Sequence, residues 1–165
     1  MADKTSFTKD EWALLLQSPV IAGMAITAAD PSGLWGLMKE SLAAGGALTQ
    51  VASDPGANVL VKAVASDFTT SEGRSAAREG LQEKLSGGKS SEVKARSVEL
   101  LKQVSALLAA KAPEDAGAFK QWLRQISQHT AEAATEGGSL FGIGGVQVSD
   151  AEKATLNEIS SALGA

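Results

Sequence analysis

His129 is the one histidine in a chain of 165 residues, and Glu132 and Glu136 follow it at i+3 and i+7. On a helix that spacing lines three side chains along one face. One imidazole and two carboxylates are donors suited to zinc or manganese, so the trio defines a candidate metal site. Such a site would make the chain a metal-binding module or a metal-dependent hydrolase. Further carboxylates, from Asp30, Asp54, Asp67 or Asp150, would have to reach it from elsewhere. A plainer expectation competes. His129 lies three residues after Ile126 and seven after Trp122, beside an apolar stripe, where a histidine is ordinarily packed and hydrogen-bonded.

Other chemistries find less support. The chain has no cysteine and no tyrosine, so thiolate metal sites and disulfides are absent and the acid–base inventory is small. The Gly-x-Ser-x-Gly elbow and His-Glu-x-x-His are missing. Ser-x-x-Lys occurs at Ser6/Lys9, Ser86/Lys89 and Ser91/Lys94, without the Lys-Thr-Gly that gives it meaning. No catalytic residue is assigned. Asp10-Glu11 and Glu114-Asp115 sit where helices begin, and acidic residues favour that end of the helix dipole.

The second candidate element runs from Gly137 to Val148. Five glycines stand in the ten residues 137–146, interleaved with Leu140, Phe141, Ile143 and Val146. Glycine loops that cradle phosphate need a basic residue and an inviting helix start. Here no Lys or Arg lies between Arg124 and Lys153, and the next helix opens with Asp150 and Glu152. An anion would be repelled. The apolar side chains instead suggest a connector that plugs a groove between helices or docks on a partner. Trp35, flanked by Gly33 and Gly36, is the tryptophan most suited to join such a partner surface. Trp12 and Trp122 read as core residues.

The elements that would position these groups are helices. Thr8 and Glu11 form a capping box, with Phe7 stapled onto Trp12. A first helix is expected from Lys9 to Gln17. Ser18-Pro19, Asp30-Pro31 and Asp54-Pro55 each read as cap plus first helical residue, opening three more helices. The third of the chain's helices would then close near Gly45-Gly46. A weak helix is expected over 72–85, anchored by Leu81 and Leu85. A strong one follows over 91–112, with Leu100, Leu101, Val104, Leu107 and Leu108 in its stripe. Pro113 ends it. Phe119, Trp122, Leu123 and Ile126 mark the helix that carries His129. Ser149 to Glu152 forms a further capping box, and Gly164 lies just past the last helix. Residues 145–148 are the only segment with strand character. The expected fold is therefore all-α: one domain over 1–165, a compact bundle of about six or seven helices, with a glycine-rich apolar loop before the C-terminal helix.

Two segments resemble a group of small bacterial all-helical proteins without an assigned activity. One is Glu11-Trp12 with Pro19, Ala22-Gly23, Asp30-Pro31-Ser32-Gly33 and Lys39-Glu40. The other runs from Gly137-Gly138 through Phe141-Gly142-Ile143-Gly144-Gly145 to Val148-Ser149 and Glu152. The resemblance implies a bacterial, helical protein and carries no site residue or cofactor with it.

Net charge is −4, which disfavours nucleic acid as a partner. Between Trp12 and Met38 the sole charged residue is Asp30, which raises membrane-surface association through this stretch as an alternative. Gln17, Ser18, Pro19, Thr27 and Pro31 interrupt the run, and each half is short for a span, so a buried core is the favoured reading. The N-terminus lacks the charged start and apolar run of a signal peptide, and the cytoplasm is the expected location. The leading functional expectation is a non-enzymatic protein-interaction or structural helical domain. Its partner would be another protein or a second copy, through Trp35, Leu140, Phe141, Ile143 and Val146.

Overall fold

A computed structural model describes residues 2–29, 46–85, 88–137 and 148–164. Those residues form a short 3-10 turn, Lys4–Ser6, and seven α-helices, with no strand among them. The helices are α1 (Lys9–Ala29), α2 (Gly46–Ser53), α3 (Val59–Phe68), α4 (Ser71–Leu85), α5 (Ser90–Lys111), α6 (Pro113–Gly137) and α7 (Asp150–Leu163). The all-helical class read from the sequence is thus correct. The glycine-rich loop, Trp35, the stretch opened by Asp30-Pro31 and most of the 145–148 segment lie outside the described residues.

The longest apolar run becomes the hub. α1 packs against α3, α4, α5, α6 and α7, so it is covered around most of its circumference. That explains a helix without an amphipathic side: Leu15, Ile21, Ala22 and Ala25 are all fully buried. Around it stand Leu101, Val104 and Leu108 of α5, Phe119 and Leu123 of α6, and Ile159 and Leu163 of α7, each fully buried. Among the described residues α1 alone is long and apolar enough to cross a membrane, and two thirds of its apolar window is buried in the bundle.

Three boundaries differ from the expectation. α1 does not stop at Ser18-Pro19; it runs straight through Pro19. Proline has no N–H to give the Leu15 carbonyl, a loss that normally breaks a helix. Here the Ser18 hydroxyl donates to that carbonyl at 2.7 Å, and both residues are buried. The side chain supplies the bond the backbone lacks. Ser18→Ala should orphan the carbonyl and cost about 1–2 kcal/mol of stability, read from chemical denaturation, with no change in helix content.

Asp54-Pro55 makes a turn rather than a helix start. Asp54 accepts the Gly56 N–H at 2.8 Å through its own side chain, which is the local bonding that favours turns. The helix begins later, at Val59, because Asn58 accepts from the N–H groups of Leu60 and Val61 at 2.9 and 3.3 Å. Gly46 opens α2, a helix the sequence reading did not include, and Leu48 of α2 is buried in the common core.

The capping boxes form as expected. Glu11 accepts the Thr8 N–H at 2.7 Å while Thr8 accepts the Glu11 N–H at 3.3 Å. Ser149 and Glu152 repeat the exchange at 2.9 and 3.3 Å. The Phe7 and Trp12 rings lie 5.9 Å apart, as a staple requires. Gly164 ends α7 in the left-handed region, φ 76°. The weak helix is present as α4, with Leu85 buried.

Candidate functional site

α6 carries the residues with the most chemistry, so its faces decide what the site is. Its buried stripe runs through Ala116, Phe119, Leu123, Ser127 and Ala131. His129 falls two residues past Ser127, about 200° around the helix at 100° per residue. It therefore points away from the core: its side chain is 80% exposed. The expectation of a packed core-edge histidine is corrected by that phase.

Glu132 lies on the same outer face. One of its oxygens stands 3.6 Å from His129 Nδ1, and the other accepts from Gln128 Nε2 at 2.8 Å. The side chain of Glu136 lies outside the described residues. Among the described residues no three His, Cys, Asp or Glu side chains converge in a way that would hold a metal ion. None of the other described carboxylates is brought to His129. Asp54 holds its turn, Asp150 stands 3.9 Å from Lys153, and Asp67 is bound to the N-terminal segment. Asp30 is not among the described residues.

Two aspartates, Asp67 half-buried and Asp115 buried, prove to be ties between distant parts of the chain. Asp67 of α3 accepts from Lys4 Nζ at 2.8 Å and from the Trp12 indole N–H at 2.6 Å. Burial pushes its carboxyl upward, but the Lys4 ammonium and the Trp12 N–H outweigh burial and hold it below the ordinary 3.8. A hollow of about 500 Å³ beside them is lined by these same groups, Asp3 and Thr70, and the half-buried Asp67 carboxylate in it is already engaged. Asp115, at the start of α6, is 2% exposed. It accepts the Ala2 N–H at 2.7 Å and the Asn58 amide at 2.8 Å. Burial again raises its carboxyl, and these two donors turn the balance downward. Both groups stay ionised and structural.

A second concave surface is a trough of about 720 Å³ between α6 and α7. Gln121, Arg124, Gln125 and Gln128 wall it from α6, and Lys153 and Asn157 from α7, with Leu156 at its floor. Among the described residues no carboxylate lines it. Elsewhere the fold pairs lysines tightly across elements: Lys4 with Asp67, Lys94 with Glu158 and Lys111 with Glu11, at 2.6–2.9 Å. Among the described residues Lys153 has only Asp150 at 3.9 Å, one turn away on its own helix. The trough was not anticipated from the sequence. Its signal was there in part, since 121, 124, 125 and 128 repeat at i, i+3, i+4 and i+7 opposite the apolar stripe. Which helix would stand across from that polar stripe is not a local property.

What the arrangement offers is recognition by hydrogen bonding and charge. Amides donate and accept, and the two cations attract anions, but no nucleophile sits beside a base. Of the residues proposed from the sequence for partner contact, all five (Trp35, Leu140, Phe141, Ile143 and Val146) lie outside the described residues. Comparison with protein-family models, curated proteins and solved structures found no match to this chain.

Proposed function

We propose that this chain is a non-enzymatic helical interaction domain that binds a protein partner or a second copy of itself. One observation carries the reading. The apolar, glycine-rich stretch with Leu140, Phe141, Ile143 and Val146 connects α6 to α7, the two helices that wall the trough. A polar trough flanked in sequence by large apolar residues has the make-up of an interface, an apolar anchor beside hydrogen-bonding groups. Deleting residues 140–145 is expected to abolish the interaction. Sedimentation velocity reads self-association, and cross-linking followed by mass spectrometry reads a foreign partner, with Trp35 among the expected contact points. A strictly monomeric protein whose cross-linked partners are unchanged by the deletion overturns the reading.

A second reading, metal capture by His129, Glu132 and Glu136, has the close approach of His129 and Glu132 in its favour. It requires stoichiometric zinc or manganese that disappears in His129→Ala. A melting temperature unmoved by either ion ends it.

A further inference from the structure

We infer that the trough between α6 and α7 receives an acidic peptide segment of a partner protein, its carboxylates meeting Arg124 and Lys153. This rests on the interaction-domain reading and names the partner's chemistry. The first ground is charge. The chain carries four more acidic than basic residues, yet among the described residues this trough is lined by two cations and no carboxylate. The second ground is pairing. The three lysines that pair with a carboxylate of another element do so at 2.6–2.9 Å, whereas the trough's Lys153 is held only loosely. Arg124 makes no ion pair with a carboxylate among the described residues. Its planar fork suits a carboxylate.

The third ground is the company these cations keep. Gln121, Gln125 and Asn157 present amides, which match the alternating donors and acceptors of a peptide backbone. Half-buried Leu156 offers an apolar floor for one side chain of the occupant. A nucleic acid fits less well. Its affinity comes mainly from several phosphate contacts, each met by a cation, and two cations on an acidic protein supply few.

The test uses the full chain and a fluorescein-labelled twelve-residue peptide alternating glutamate and leucine, read by anisotropy at low salt. Saturable binding is expected, weakened by about tenfold or more in the R124E/K153E double variant, since each surface pair adds a few-fold and reversal adds repulsion. The control K102E, on α5, should leave binding unchanged. The milder R124Q/K153Q pair and amide shift mapping on the unaltered protein guard against a folding defect; shifts are expected at 121–128 and 153–160. Absence of saturable binding, or binding indifferent to Arg124 and Lys153, overturns the assignment. So does tighter, reversal-sensitive binding of oligothymidylate of equal length, which would make the ligand a nucleic acid. If the peptide fails while the 140–145 deletion still abolishes a cross-linked partner, only the trough assignment falls.

Discussion

Replacing Gly73 by alanine is expected to destabilise the protein by about 3 kcal/mol, at the upper end for forcing a methyl into a packed site. For a chain of this size that lowers the melting temperature by about 6–12 °C. Helix propensity alone predicts the opposite sign, because alanine in a helix is better than glycine by about 1 kcal/mol. The geometry decides between them. A Cβ at Gly73 would stand 2.0 Å from the Asp67 carbonyl oxygen and 2.6 Å from its carbon. Those are backbone atoms and cannot swing aside. The same carbonyl accepts the N–H of Thr70 at 3.0 Å and its hydroxyl at 2.7 Å, while Thr70 Oγ1 accepts the Gly73 N–H at 2.9 Å. Moving it would undo the α3–α4 corner. Gly117, on α6, is the matched control, since a Cβ there meets nothing within 4 Å. Gly117→Ala should be neutral or stabilising by up to about 1 kcal/mol. Calorimetry on the two variants checks the pair, and a Gly73→Ala protein as stable as the parent would mean that the corner relaxes freely.

Asp115→Ala should also cost about 3 kcal/mol, because it removes two hydrogen bonds to a charged acceptor and leaves buried donors unmatched. The lost partners are Ala2 and Asn58, so the N-terminal segment and the α3 cap should loosen together. Hydrogen exchange would show both. The loss should depend on pH. The folded carboxyl titrates below its ordinary 3.8, so the unfolded chain binds the proton more readily. The stabilisation is then complete above the ordinary value and is lost as pH falls through the folded one. Asp67 has the same sign. Parent and Asp115→Ala melting curves should therefore converge below pH 4. A gap that stays constant from neutral pH to pH 2 would contradict the assignment of the charged form to this tie.

Much of the fold was legible because its signals are local. A capping box is closed between residues three apart, so Thr8–Glu11 and Ser149–Glu152 could be read from letters alone. The same holds for the α5 stripe and for Gly164, whose place just past the last apolar position calls for a left-handed residue. The candidate site was less legible. His129 was placed beside the stripe by its distance from Ile126 and Trp122, but two residues of phase beyond Ser127 carry it to solvent. The trough needs α7 to lie against the polar side of α6, and no spacing within either helix states that.

Pro19 separates the two kinds of information most clearly. By local rules, serine followed by proline starts a helix. The tertiary structure overrides this, because α1 is buried among five other helices and keeping it continuous buries Leu15, Leu16, Ile21 and Ala22 in one core. The gain from that burial exceeds the loss of one backbone bond, which Ser18 in any case replaces. Asp115 makes the same point across 113 residues, where a helix-start carboxylate becomes the anchor of Ala2. The sequence by itself determined that this protein is helical, where most helices stop, and that its apolar N-terminal run is nearly free of charge. Only the tertiary structure decided which helices pair, which carboxylates are ties and which face of α6 meets solvent. Those depend on contacts between residues far apart in the chain, and such contacts leave no periodic trace in it.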